Sequence, residues 1–260
     1  IGSSATLNTN TGTYVAWQWK ANGSGSSNTD GSITSTVSAN TTSGFSISTY
    51  TGNATVGATV GHGLGIAPKV VIVKSRSNAE SWIFGHDSVG WTKAMYMQST
   101  VAGYTLDIYW NNTAPTSSVV TLHDHAVTNG SGATYVMYAF AEIPGYSSFG
   151  SYTGNGSTDG PFVYTGFRPS FVLCKNTINA GNDWPIDDAA RSPFNPDKAR
   201  LWADLSTAEN TGSVTLDLLS NGFKIRTSNG EQNTSGSTHM YMAFAENPFG
   251  GDGVAPATAR

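Results

Sequence analysis

Three groups of side chains in this sequence have the types and spacing to do chemistry. Asp187-Asp188, with Asp183 before them and Arg191 three residues on, could supply the carboxylate pair of glycoside hydrolysis. Such a pair flanks the scissile bond at about 5 to 9 Å, one member having a raised pKa. Adjacent residues on a strand point to opposite faces, and the corresponding stretch earlier in the chain reads Gly85-His86-Asp87, without a second carboxylate pair. A solvated loop ion pair with Arg191 is therefore the better reading of Asp187 and Asp188. His123-Asp124-His125 would put two imidazoles on one face of a strand, a start for a divalent metal site. No third and fourth ligand are evident in a chain with five His, so surface or hydrogen-bonded roles are expected there, and for the isolated His62 and His86, and no metal or cofactor. The third group is aromatic. Tyr109-Trp110 comes just before Asn111-Asn112-Thr113, and exposed rings beside amides suit stacking and hydrogen bonding to a sugar. Trp91, Tyr109, Trp110, Asp187, Asp188 and Arg191 are thus the candidate ligand-binding residues, with capping of a sandwich end as the competing role for the aromatics.

The elements that must position these groups are announced by a repeat. Tyr50-Thr51-Gly52-Asn53 returns as Tyr152-Thr153-Gly154-Asn155, and Pro68-Lys69-Val70-Val71-Ile72-Val73-Lys74 as Pro169-Ser170-Phe171-Val172-Leu173-Cys174-Lys175. Each copy closes on a strand-like phrase, Tyr135–Glu142 and then His239–Glu246, and Tyr14–Asn22 echoes that phrase with nothing before it. A repeat of this length is a domain rather than a solenoid turn. Apolar residues alternate over short runs between Gly, Asn, Asp and Ser, the pattern of an all-β protein. Strands are expected near 13–20, 31–38, 43–50, 69–76, 81–86, 93–98, 103–110, 118–123 and 134–141, and again near 147–153, 161–165, 170–176, 183–187, 213–219, 222–227 and 238–245. Asn221-Gly222 predicts a hairpin tip at 220–222 through positive φ angles, and Asp197–Leu205 is the one short helical candidate.

Period two puts Val136, Tyr138 and Phe140 on one face of the first closing strand, Met240, Met242 and Phe244 on the second, and Val15, Trp17 and Trp19 on the echo. That face is expected to be the sandwich core, with the alanines at 139, 141, 243 and 245 allowing close approach of another layer. Trp82 and Trp184 match across the copies and read as core anchors, and Gly44, Gly103 and Gly222 each precede an aromatic at a strand start. The fold expected is two tandem duplicated antiparallel β-sandwich units, jelly-roll-like, with an extra N-terminal strand. Its parts are 1–42 (strand and connector left from a preceding unit), 43–145, 146–249 and a tail at 250–260. The break falls at Ile143-Pro144-Gly145-Tyr146, and so short a linker implies a fixed relation between the units. The row Val15, Trp17 and Trp19 must be covered, and a neighbouring subunit is the favoured cover, making these the candidate oligomer contacts.

Composition narrows the classes. Only 12% of residues are charged, about half the usual fraction, while 38% are apolar, with seven Trp, eleven Tyr and eleven Phe, so the chain folds but is solubilised by hydroxyls and amides. A net charge of −4 without a basic cluster argues against nucleic acid, and no stretch is apolar enough to insert in a membrane. The lone Cys174 lies in an apolar run and reads as a buried, inert thiol. Ile1 is no initiator, so a processed or partial product is expected. Catalytic elbows, zinc helices and phosphate loops are missing, and the Asn-Gly-Ser matches at 22–24, 129–131 and 155–157 are what an Asn- and Gly-rich chain produces in its turns.

Several phrases carry a resemblance: Gly44-Phe45-Ser46-Ile47-Ser48-Thr49-Tyr50-Thr51-Gly52-Asn53, Gly61-His62-Gly63-Leu64-Gly65-Ile66-Ala67-Pro68-Lys69, Gly160-Pro161-Phe162-Val163-Tyr164-Thr165-Gly166-Phe167-Arg168-Pro169 and Tyr241-Met242-Ala243-Phe244-Ala245-Glu246-Asn247-Pro248-Phe249. Over roughly residues 12 to 260 the sequence resembles the C-terminal repeat region of tail-fibre-like and other virion appendage proteins of marine tailed phages. The resemblance implies a virion component that contacts the host and brings no catalytic residues. The expectation is a non-enzymatic structural or adhesive protein of the virion, a homo-oligomer joined to other virion proteins and able to bind host surface polysaccharide. The alternatives are a depolymerase of that polysaccharide, using Asp183, Asp187 and Asp188, and an adhesin or filament subunit on the bacterial surface or secreted.

Overall fold

The computed structural model describes residues 4–105 and 108–246. The protein is all-β, and its described residues form antiparallel sheets, none closed into a barrel, and three one-turn helices. Strands β1 Ser26–Asn28, β2 Ser35–Asn40, β3 Phe45–Thr51, β4 Ala58–Gly61, β5 Val70–Ser75, β6 Ile83–His86, β7 Lys93–Tyr96, β8 Tyr104–Thr105, β9 Val119–Leu122 and β10 Thr134–Phe140 make the first half. The second half holds β11 Ser147–Thr153, β12 Phe162–Tyr164, β13 Pro169–Asn176, β14 Pro185–Asp188, β15 Arg200–Trp202, β16 Leu216–Leu219, β17 Gly222–Ile225 and β18 Thr238–Ala245. An eight-stranded sheet runs β1-β2-β3-β10-β5-β6-β7-β8 and a five-stranded sheet β11-β18-β13-β14-β15. The order β3-β10-β5-β6 therefore recurs as β11-β18-β13-β14. Smaller sheets, β4-β9 and β12-β17-β16, accompany them. No helix among the described residues is long and apolar enough to cross a membrane.

The layers follow from side-chain alternation on the closing strands. Tyr135 and Met137 of β10 turn away from the second half and pack with Val71, Val73 and the β4-β9 pair. Tyr241, Ala243 and Ala245 of β18 likewise pack with Val172, Cys174 and the β12-β17-β16 sheet. The opposite faces, with Phe140 and Tyr138 on one side and Met240, Met242 and Phe244 on the other, meet each other in a shared aromatic seam. This corrects the expected arrangement: the bulky face is the joint between the halves, and the face carrying the alanines lines each half's own core. Small residues there admit the large side chains of the small sheets, such as Phe223, which stands 5.4 Å edge-on from Tyr241.

The repeated Tyr-Thr-Gly-Asn phrase is a latch. Tyr50 and Tyr152 donate their hydroxyls to the carbonyls of Thr128 and Gln232 at 2.7 and 2.8 Å. The amides of Asn53 and Asn155 donate to the side-chain oxygens of Asn129 and Asn233, each ending a one-turn helix, at 2.9 and 2.8 Å. A Cβ on Gly52 would lie 2.4 Å from the Gly130 carbonyl, and one on Gly154 2.4 Å from that of Thr234. The motif is thus specified by packing and polar satisfaction, with no room for another residue at the glycine.

Other expectations change. Residues 13–20 form no strand: the closing phrase ladders only where a strand flanks it on each side, and here the segment lies face-on against the seam. Asp197–Leu205 is not helical, because its backbone bonds across to other segments, Asp197 N–H to Leu216 and Arg200 N–H to Asn210. In the region 103–110 only Tyr104–Thr105 ladders, residues 108–110 turn, and 106–107 lie outside the described residues, as does the 247–260 stretch containing the expected tail. The β16-β17 hairpin turns at Ser220-Asn221, but neither Asn221 nor Gly222 takes positive φ. Gly222 is there because a Cβ would meet the Val163 carbonyl at 2.1 Å. Of the three glycines placed before aromatics, Gly44 has the positive φ expected, +65°.

Candidate ligand groove

The seam does not close completely. On one side it opens into a groove between the two large sheets, and the N-terminal segment lies in it. Trp19 packs edge-on against Phe140, Phe171 and Phe244 at 5.9, 5.6 and 5.2 Å, and Trp17 against Phe171 at 5.6 Å. Val15, Trp17 and Trp19 are half-buried while Ala16, Gln18 and Lys20 are exposed, so the expected alternation survives without a ladder. These contacts come from the segment's own chain. Beside them is a cavity of about 410 Å³ lined by Ile72, Met97, Leu173, Leu201, Trp202 and Met242 among others. It continues past Met97 and the tryptophans into a second recess of about 490 Å³ that reaches Ile47, Tyr138 and Trp82.

Three indoles are held in orientation along this groove. Trp17 donates Nε1–H to Asp188 Oδ2 at 3.2 Å and carries the Arg191 guanidinium 5.7 Å over its ring. Trp202, on β15, donates Nε1–H to Glu231 Oε1 at 3.2 Å. Trp82 stacks on Tyr138 at 6.5 Å and 16°, and its amide donates to Gln98 Oε1 at 3.0 Å. The expected core role of Trp82 is corrected, since the residue is 37% exposed, whereas Trp184 is fully buried. Trp82 ends up outside because it precedes β6 and stacks over the sheet face at its rim.

The proposed sites read from sequence fare differently. Trp91, Tyr109 and Trp110 are buried in the first half's core, Trp91 edge-on to Trp110 at 5.6 Å, so they offer no platform. The turn at 108–110 folds Tyr109 and Trp110 inward, and Tyr109 reaches the Tyr96 hydroxyl at 2.6 Å. Asp187 and Asp188 do point apart, as strand geometry requires. Asp188 is no solvated loop residue: it accepts from Ala190 N, Arg191 N and Arg191 Nε at 3.1, 3.0 and 2.6 Å while buried. Asp187 faces inward, accepting from Gln232 Nε2 at 2.8 Å with Arg200 Nε 3.9 Å away. Burial holds its carboxyl above the usual range, opposed by Arg200. Arg200 in turn donates to Gln232 and, at 2.8 Å, to Glu231, so the buried charges end on the residue that orients Trp202. Asp197 nearby is pushed up to about 6, first by burial and then by Asp187.

The histidines are structural. His62, His86 and His125 each accept on Nδ1 from the amide two residues on, at 3.2 Å, His125 thereby capping a helical turn. His123 pairs with Asp124, and no cluster among the described residues could hold a metal ion. Cys174 is buried, its thiol pushed up to about 12 by burial.

A family model described as a domain of unknown function, DUF7483, matches residues 1–248. The chain belongs to this family. No curated protein and no solved structure matches it. Within this DUF7483 chain, sequence reasoning missed Trp202, Gln98 and Met97 as groove residues, and Glu231 as the acceptor that orients Trp202. Trp202 sits in the stretch expected to be helical, and nothing in the local pattern announces that two sheets from separate copies face each other.

Proposed function

We propose that the protein is a non-catalytic adhesive part of a tailed-phage virion appendage, a tail fibre or similar structure, which holds a saccharide chain of the host surface in the seam groove. The observation that carries this reading is the set of indoles at Trp17, Trp82 and Trp202, each fixed by a hydrogen bond or a stack and each keeping ring surface toward the groove. A sugar ring offers C–H faces to such indoles and hydroxyls to amides, here those of the exposed Gln18 and Gln98 at the rim. Grooves where two units meet are common ligand sites. Many copies on one particle multiply a weak single-site affinity.

The test is titration of purified host surface polysaccharide. Trp82→Ala and Trp202→Ala are each expected to weaken binding at least about tenfold, and unchanged affinity in both removes the groove from the account. The same mixtures are assayed for new reducing ends, whose appearance makes the depolymerase reading the better one. Antibody labelling of bacterial cells but not of particles would move the protein to a bacterial surface adhesin.

A further inference from the structure

The two halves differ at one sheet edge. In the first half, β3 is flanked by β10 on one side and β2 on the other, with Thr36 opposite Thr49 and Ser38 opposite Ile47. Its counterpart β11 is flanked by β18 alone and forms the end of the five-stranded sheet. The bonds at the strand ends fix which residues point outward. Gly154 donates to Ser237 and Tyr146 accepts from Ala245, both on the β18 side, whereas Ser147 and Phe149 turn away, Ser147 N–H to the Ile143 carbonyl and Phe149 N–H to Glu142 Oε2 at 2.9 Å. By the same alternation Ser151 and Thr153 present their N–H and C=O groups outward, and both residues are exposed. Glu142 blocks the start of this edge. The rest is an open template of the kind native proteins cover.

Residues 15–21 ladder with nothing, although their burial alternates from one residue to the next. Residues 15–21 repeat the closing phrase, and in both halves that phrase pairs antiparallel with a strand of the β3 and β11 type. We propose that the outer edge of β11 at Ser151–Thr153 receives the N-terminal segment of a second copy of this chain, adding it as an antiparallel strand. Val15, Trp17 and Trp19 then continue the apolar row of Phe149 on the seam face of the recipient, while Ala16, Gln18 and Lys20 take the other face. Donor and acceptor surfaces differ, so the contact is head-to-tail and propagates into a ring or a filament. Donation takes the segment out of its own groove and breaks the Trp17 bond to Asp188, leaving Trp82 and Trp202 there.

The experiment is sedimentation of the full chain over a concentration series. The wild type is expected to gain mass with concentration. Ser151→Pro removes an outward N–H from an edge strand, where proline is tolerated, and Ala16→Pro with Gln18→Pro disables the donor in a segment that ladders with nothing in its own chain. Each variant alone is expected to stay monomeric. Their equimolar mixture is expected to form dimers and stop there, one partner offering only a donor and the other only an acceptor. A monomeric wild type, a donor variant that associates like wild type, or a mixture that stays monomeric overturns the proposal. If circular dichroism shows Ser151→Pro unfolded, the donor variant added to wild type decides: it must shorten the assemblies, and unshortened ones overturn the proposal.

Discussion

His86 and Asp188 hold the same ladder position in the two halves, His86 opposite Val70 and Asp188 opposite Phe171. Both side chains enter the seam and tie it to a different part of the chain. His86 Nε2 donates to the Tyr241 carbonyl of the other half at 3.1 Å, and Asp188 accepts from the Trp17 indole at 3.2 Å. One position has thus become a pH-sensitive tie in the first copy and a clamp for the N-terminal segment in the second.

The His86 tie requires a neutral ring, since Nδ1 accepts from Ser88 N–H while Nε2 donates. Burial lowers its pKa to about 4 from 6.5. Between these values the unfolded chain binds more protons, so the stabilisation is fully present above pH 6.5 and is lost as pH falls through 4. Denaturant melts are expected to lose about 3 kcal/mol over that window, and His86→Gln to flatten the slope. A slope of the same size in the variant would assign the acid sensitivity elsewhere.

Asp188→Ala takes the acceptor from Arg191 Nε and from the Trp17 indole hydrogen inside a mostly buried pocket, and leaves the guanidinium only Glu209 and the Ile186 carbonyl. Breaking such a pair from one side costs about 3–5 kcal/mol. Urea unfolding checks the figure; a loss under about 1 kcal/mol would class the pair with surface bridges.

Asp197 runs the other way with pH. Its buried carboxyl titrates near 6 instead of 3.8, so the folded protein binds the extra proton. Its contribution is complete below about 3.8 and is lost as pH rises through 6. Asp197→Asn keeps an oxygen for the Ala199 amide, 2.9 Å away, and is expected to raise stability at pH 8 by roughly 1–3 kcal/mol. At pH 4 it should change little. Equal effects at the two pH values contradict the assignment.

Two glycine substitutions separate crowding from backbone preference. Gly154→Ala drives a methyl to within 2.4 Å of the Thr234 carbonyl in the latch, and a cost above about 3 kcal/mol is expected. Gly65, at φ +75° with nothing within 4 Å of a built Cβ, should lose only about 1–2 kcal/mol on change to alanine. Comparable melting temperatures for the two would show that the latch yields.

What could be read from residues alone was local. Alternation placed β3, β5, β10, β11, β13 and β18 because each is at least six residues long and carries aliphatic or aromatic side chains on a buried face. β1 and β4 went unseen because three or four mostly small residues carry no period of their own, and β15 because its three residues lie inside the stretch read as helical. The closing strands are apolar on both faces, so their pattern cannot say which face meets a small sheet and which the other half; that choice rests on partners far along the chain. Tyr109-Trp110 looked exposed for being next to Asn111-Asn112, yet a turn reverses the direction of the side chains there. The Asp188–Arg191 pair was legible from spacing, and its burial against Trp17 was not.

The central place of β18 has a mechanical meaning. A load applied at the C-terminal end pulls on a strand gripped along its length by β11 and β13, and must shear both ladders at once. A load applied ahead of residue 15 pulls instead on indole contacts and one hydrogen bond to Asp188, which peel one after another. The molecule therefore has a weak end and a strong end, and under tension it pays out its N-terminal segment while the sheets stay shut.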